Sequence, residues 1–284
     1  MRRTRLLLSA AVIALAGALT VGCATLDERQ REWIFQPGDR AWGGSAFLAE
    51  GMQDVWIDFR SEVTDRPARL HGLWLPAENR AQDGPVLLYL HGAKWNVRGS
   101  APRIRRMQDL GFSVLAVDYR GFGQSTRELP SEAMAYEDAR AAWDWLARQH
   151  PGRARYIFGH SLGGAVAIDL AAQVQDERGV IVEGTFTSIP DVASSMKWGW
   201  LPIGPLITQR FESVRKVDKV QSPILVVHGD NDRLIDASLG RRLLEAAAGR
   251  KHFLLVGGGA HFSTMAVGLD QYRTALAQFF ELDR

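Results

Sequence analysis

Apolar and polar positions alternate along this chain in two rhythms. Asp54-Val55-Trp56-Ile57-Asp58-Phe59 changes character at every second residue, and Arg69 to Leu75 does so again after a polar break. A period of two is that of a strand with one face buried, and the pair predicts an antiparallel hairpin. Val86-Leu87-Leu88-Tyr89-Leu90 is instead apolar throughout, as a strand covered on both faces must be. Ser113 to Asp118, Arg155 to Phe158, Gly179 to Glu183, Pro223 to His228 and His252 to Val256 repeat that character. Between these runs lie helix-like stretches at about 103–110, 131–149, 165–172, 239–248 and 269–280. Such alternation predicts an α/β fold with a mostly parallel central sheet and helices on both faces.

Three stretches break the rhythm. Met1-Arg2-Arg3-Thr4-Arg5 is basic, and Leu6 to Val21 is apolar and uncharged, too short and too soon followed by charges for a spanning helix. Residues 1–22 therefore read as an export signal. Residues 23–50 carry charged, helix-like text and then Trp33-Ile34-Phe35-Gln36-Pro37; they read as a tether that wraps onto the domain beginning near residue 51. The stretch 184–220 is aromatic and Pro-punctuated, with Trp198, Trp200, Pro202 and Pro205. It reads as a short cap over the site, within a single domain spanning 51–284.

Composition changes this picture in two places. Hydrophobic residues make up 46% and charged residues 23%, which is ordinary for a globular chain with a sizeable core. Removing residues 1–22 takes away three arginines and no acid, moving the formal charge from +2 to −1. No basic surplus is then left to suggest a nucleic-acid partner. The single cysteine, Cys23, ends the apolar run in Leu19-Thr20-Val21-Gly22-Cys23, so no disulfide can form within the chain. Nothing in the sequence bears on oligomeric state.

The candidate chemistry centres on Gly159-His160-Ser161-Leu162-Gly163-Gly164, which lies between a predicted strand and a predicted helix. Gly-x-Ser-x-Gly in that setting is a nucleophile elbow, a sharp turn that holds a serine hydroxyl out at the sheet edge. A serine needs a base to take its proton, and the base needs an orienting carboxylate. Downstream, His228-Gly229-Asp230-Asn231-Asp232 offers acids after one strand, and Gly259-Ala260-His261 offers an imidazole after the last. Spacing leaves Asp230 and Asp232 both open as the acid. The oxyanion donors are expected to be the backbone N–H of Leu162 and, from the loop after His91-Gly92, that of Ala93. Lys94 and Trp95 read either as lining of the entrance or as ordinary loop residues. Trp198 and Trp200 read as contacts for an acyl chain or as cover for a sheet edge. His91, His160 and His252 read as packed structural histidines. Gly121-Phe122-Gly123 lacks the rest of a dinucleotide fingerprint, and no Cys/His set of metal-ligand spacing is present. No cofactor is expected.

These motifs, with Asp118-Tyr119-Arg120-Gly121-Phe122-Gly123, resemble the α/β-hydrolase superfamily over roughly residues 50–284. Within it the chain is similar to short-cap serine hydrolases such as depalmitoylase-like and lysophospholipase-like esterases. The resemblance implies a triad of Ser161, Asp232 and His261, with Asp230 closing the turn. It implies a carboxylic-ester or thioester hydrolase working through an acyl-serine, with a hydrophobic acyl group. A serine aminopeptidase or acyltransferase is the alternative within the fold, and a non-catalytic envelope binding protein the alternative outside enzymes. The loop Ala93-Lys94-Trp95-Asn96 departs from the family's usual Asn-rich version. The N-terminus resembles a bacterial lipoprotein signal, with Thr20 where Leu is usual. That resemblance implies lipidation of Cys23 and membrane attachment, and Ala24 after it implies an outer-membrane position facing the periplasm.

Overall fold

The computed structural model describes residues 22, 24–39, 45–78, 83–196 and 199–282; Cys23, Trp198 and all but the last residue of the expected signal lie outside it. Eight strands form one sheet in the order β1-β2-β4-β3-β5-β6-β7-β8. They are β1 (Gln53–Arg60), β2 (Pro67–Leu75), β3 (Val86–Leu90), β4 (Ser113–Val117), β5 (Arg155–His160), β6 (Glu177–Glu183), β7 (Ile224–Gly229) and β8 (Lys251–Val256). β1 and β2 form the expected antiparallel hairpin and β2 joins β4 antiparallel, while every pair from β4 to β8 is parallel. β3, β4 and β7 are buried at every position, which is why they carry no polar alternation.

Helices cover both faces. The first helix occupies residues 24–35 (α1), followed by α2 (Ala101–Asp109), α3 (Glu132–Gln149), α4 (Leu162–Ala171), α5 (Ile189–Ser195), α6 (Ala237–Ala246), α7 (Thr264–Val267) and α8 (Leu269–Phe279). One apolar cluster joins the sheet to α3, α4 and α6 through Trp143, Leu146, Val166, Leu239 and Leu243. A second joins the other face to α2 and α8 through Ile104, Met107, Tyr272 and Leu276. α3 starts where the Ser131 side chain accepts a hydrogen bond from the Met134 N–H, a cap that fixes the boundary within a residue of the expected one. α4 is buried all round, as a helix packed on a sheet and under other helices must be.

From β3 the chain goes to β4 on one side and then to β5 on the other. The crevice outside such a switch point, beyond the carboxyl ends of the strands, is where open α/β sheets bind ligands. The turn from β5 into α4, carrying Ser161, stands there.

Candidate active site

Ser161 holds φ 56° and ψ −120°, a combination that L-residues rarely adopt. Packing enforces it. A Cβ added at Gly163 would overlap the carbonyl oxygen of Leu90, and one at Gly159 would overlap that of Gly163. Only glycine lets helix, elbow and neighbouring strand approach so closely. The Ser161 N–H donates to the Glu183 carbonyl at 2.9 Å, and the Thr185 hydroxyl donates to the Ser161 carbonyl at 3.0 Å.

Two later loops converge on this serine. His261, five residues beyond β8, places Nε2 3.0 Å from the Ser161 Oγ, and its Nδ1–H donates to Asp232 Oδ2 at 2.8 Å. Asp232 follows β7, and its other oxygen accepts the N–H groups of Leu234 and Ile235, each at 2.9 Å. Burial works to raise the Asp232 pKa, but the hydrogen bonds from His228, His261 and the Ile235 N–H outweigh it and hold the carboxyl well below the usual carboxylate range. It therefore stays ionised and fixes the imidazole with its proton on Nδ1, leaving Nε2 free to accept the serine proton. Asp230 stands elsewhere: its carboxylate accepts the Gly258 N–H at 2.7 Å and closes the turn between two loops.

Beneath His261 lies a buried polar group. The His160 Nε2–H donates to the His261 carbonyl at 2.9 Å. Burial, then the positive charge of Arg103, hold His160 well below its ordinary pKa, so its ring is neutral. Arg103 in turn donates to the buried Glu183 at 3.1 Å, and Glu183 accepts the Tyr272 hydroxyl. Sequence reading missed Arg103 and Glu183, since a lone arginine on a helix and a carboxylate at a strand end look like surface text.

The other wall is the loop after β3. A Cβ at Gly92 would sit 3.1 Å from the Ser161 Cβ, so this loop abuts the nucleophile. Lys94 and Trp95 have φ of 66° and 48°, a left-handed conformation that costs roughly 1–2 kcal/mol per residue. The loop is tied at three points: Lys94 N–H to the Phe35 carbonyl at 2.8 Å, Asn96 to Asp39 at 3.1 Å, and Val97 N–H to Asp118 at 2.6 Å. Leu162 begins α4, where an N–H has no acceptor within its own helix. Ala93 lines the same pocket as Ser161.

Together these walls enclose a pocket of about 280 Å³ lined by Ala93, Lys94, Trp95, Ser161, Leu234 and Phe262, among others. Gln36 at the end of α1 also lines it, and no sequence signal pointed to that residue. Phe262 could have been found, as the immediate neighbour of His261. Two expectations need correction. Trp200 is 73% exposed and is not part of the pocket lining. Among the described residues none of 184–220 lines the pocket. The reason is that this segment spends its apolar residues elsewhere: Phe186, Phe211 and Val217 are buried in the cluster shared with α4 and α6. Trp198 lies outside the described residues. Among the described residues no cluster of metal-ligating side chains is found.

Known proteins carry the same architecture. A family described as serine aminopeptidase, S33, matches residues 82–213. An uncharacterized protein of Mycobacterium tuberculosis is 32% identical over 247 residues, covering 85% of this chain and 83% of its own. The chain belongs to the α/β-hydrolase superfamily. This hydrolase is also similar to the lysophosphatidylserine lipase ABHD12 of Danio rerio, 33% identical over 178 residues, a match covering 56% of this chain and 46% of that one. In fold it resembles an esterase of Pyrococcus furiosus, with a TM-score of 0.70 at 19% identity over 86% of this chain and 96% of that one.

Proposed function

We propose that this hydrolase cleaves carboxylic esters or thioesters, of esterase or lipase type, through an acyl-serine intermediate. The observation that carries the reading is the hydrogen-bonded chain from Ser161 through His261 to Asp232 at the floor of an open pocket. The Ser161 Oγ attacks the acyl carbon while its proton passes to His261 Nε2. The negative charge that develops on the acyl oxygen is met by the N–H groups of Leu162 and Ala93. The C–O or C–S bond then breaks, and the leaving group takes the proton from His261. Water repeats the sequence, giving its proton to His261 and its oxygen to the acid, and Ser161 is released.

The pocket also bears on substrate class. At about 280 Å³ it lies near the lower end of ligand pockets, ~300–1,000 Å³, and suits a short acyl group or the carbonyl end of a longer one. An aminopeptidase must hold a free α-ammonium group, which calls for a carboxylate. Among the described lining residues there is no Asp or Glu, and Lys94 supplies a positive charge instead. That favours an ester, including an anionic one such as a lysophospholipid, over a peptide. The aminopeptidase description of the matching family keeps the amide reading as the second one.

A fluorophosphonate probe is expected to label wild type and not Ser161→Ala. A panel of acyl esters run beside amino-acid anilides is expected to show turnover of the esters only. Absence of labelling in wild type would end the serine mechanism, and preference for the anilides would turn the assignment to a peptidase.

We further propose that residues 1–22 are an export signal, that Cys23 is lipidated after cleavage, and that the enzyme sits at the outer membrane facing the periplasm. Metabolic labelling with an alkyne fatty acid, present in wild type and lost in Cys23→Ser, tests this.

A further inference from the structure

An apolar surface stands beside the pocket with no part in the chemistry. Leu26 and Trp33 share one flank of α1 with Gln30, since residues three and four apart on a helix are neighbours. Gln30 fastens that flank to the later segment: its side chain donates to the Leu206 carbonyl and accepts the Thr208 N–H, each at 2.8 Å. Arg210 holds the turn of Leu206 from within by donating to the Gly204 carbonyl at 3.0 Å. The two segments so fastened carry outward side chains, Leu26 and Trp33 on one and Trp200, Leu201, Ile203 and Leu206 on the other, with Trp33 63%, Trp200 73% and Leu206 59% exposed. Isolated exposed apolar residues need no explanation, but a cluster with two tryptophans marks a contact surface.

Its place says what covers it. α1 begins where the apolar run Leu6 to Val21 and Cys23 end, so the chain enters the folded body at this face. At 1.5 Å per residue, Leu26 lies about 3 Å and Trp33 about 14 Å along the helix from residue 24, within reach of the same interface. Indole side chains are enriched at membrane–water boundaries because one ring offers both an apolar body and an N–H. The segment 184–220 leaves the sheet at the carboxyl end of β6, the edge that carries Ser161, and α1 ends at Phe35, next to Gln36 in the pocket wall.

We propose that this face rests on the phospholipid bilayer that holds the chain's N-terminus, so that a lipid ester passes from the bilayer to Ser161 without crossing bulk water. The inference rests on the ester-hydrolase and membrane-attachment reading and adds the surface through which it acts. A second copy of this chain is the competing occupant.

The test uses the full chain with vesicles of phosphatidylethanolamine and phosphatidylglycerol. Trp33→Asp/Trp200→Asp/Leu206→Asp changes three side chains outside the pocket. It is expected to keep kcat/KM on soluble p-nitrophenyl butyrate within about twofold, as exposed substitutions do. Hydrolysis of an ester embedded in the vesicles is expected to fall by about tenfold or more, through loss of buried apolar surface. In parallel, brominated phospholipid should quench the tryptophan fluorescence of wild type more than that of Trp33→Phe/Trp200→Phe. Wild-type rates on the embedded ester, or quenching unaltered by the double replacement, would overturn the proposal. So would a wild-type dimer in analytical ultracentrifugation that Trp33→Asp/Trp200→Asp/Leu206→Asp dissolves, since a second copy would then own the face. If wild type cleaved no ester, the hydrolase reading would fail while the quenching still decided the surface.

Discussion

The elbow at Ser161 and the loop from His91 to Val97 form opposite walls of one pocket, yet they are held by different means. The elbow is locked by immediate neighbours. Gly159, Gly163 and the Leu90 strand leave no space for another backbone path, and Ser161 keeps its φ of 56° because nothing else fits. The loop carries two left-handed residues of its own, Lys94 and Trp95, and the Trp95 ring meets Phe262 edge-on with centroids 5.2 Å apart. It is fastened instead from afar, by the Phe35 carbonyl some 60 positions earlier and by Asp39 and Asp118. The Ser161 geometry is thus a property of local sterics, while the path of the loop that carries Ala93 depends on how the N-terminal helix docks.

The largest effect is expected where the triad meets the elbow. Asp232→Asn should lower kcat by about 10³–10⁴, because the imidazole loses the partner that fixes its tautomer. Asp230→Asn should stay within about threefold, since it removes only a turn contact at an exposed site. Steady-state kinetics on one soluble ester compares both. Stability should change with a definite sign as well. An unfolded Asp titrates near ~4, whereas folded Asp232 binds its proton only at lower pH. Its ionised form therefore favours the folded state at neutral pH, and that contribution disappears as pH falls through the folded value. The gap in urea midpoint between wild type and Asp232→Asn should be widest near about pH 7 and close toward about pH 2. A gap that widened on acidification would contradict the hydrogen-bond geometry described for this carboxylate.

Next comes the elbow's packing. Gly163→Val adds atoms where even a Cβ overlaps the Leu90 carbonyl, so α4 must move off the sheet. Overpacking of this kind costs typically 1–3 kcal/mol, about 2–12 °C in melting temperature for a domain of this size. Displacing Ser161 by about 1 Å costs about 10² in turnover. A variant that melted earlier but kept full activity would show that the elbow tolerates more slack than its glycines suggest.

How much of this could be read from the residues follows the same division. Ser161 and His261 were legible because each follows an apolar run, and strand ends in a parallel sheet must meet on one edge; Asp232 came from the family resemblance, since spacing left Asp230 open beside it. The succession of strands along the chain, their mostly parallel pairing and the extent of α3 were legible for similar reasons, through continuous apolar text and amphipathic spacing. The role of α1 was not. Phe35 contributes a main-chain carbonyl to the loop, and a carbonyl leaves no mark in a sequence. Arg103 and Glu183, paired under His160, were also hidden, because their burial is decided by which helix covers which strand. The expected cap failed on a related point: apolar content shows that a segment is covered, and not what it covers.

The loop's remote fastening gives a middle-sized prediction. Phe35 is fully buried and meets Phe211 edge-on with centroids 5.7 Å apart. Phe35→Ala should cost about 3–5 kcal/mol of stability, and it should loosen α1 over the Lys94 N–H. Turnover should fall by about tenfold, less than the 10²–10³ that follows complete removal of one oxyanion donor. Fluorophosphonate labelling of Ser161 should continue, slowed by a similar factor. Equal loss in Phe35→Ala and Asp232→Asn would mean that the two walls are not independently held.

The smallest effect separates Lys94's backbone from its charge. At φ 66° a glycine is under no strain, so Lys94→Gly should leave the loop's path intact and remove only the cation. The Lys94 ammonium lies 4.9 Å from the Trp95 ring centre at the pocket wall, where solvent reaches it. An exposed charge pair is worth about 0.2–1 kcal/mol, which corresponds to about 1.5- to 5-fold in kcat/KM. That loss should appear with an anionic ester and vanish as salt is raised, while a neutral ester of the same acyl group is cleaved at the wild-type rate. A matching loss on the neutral ester would assign Lys94 to the shape of the loop, and would place more of the second wall under local control than its distant ties imply.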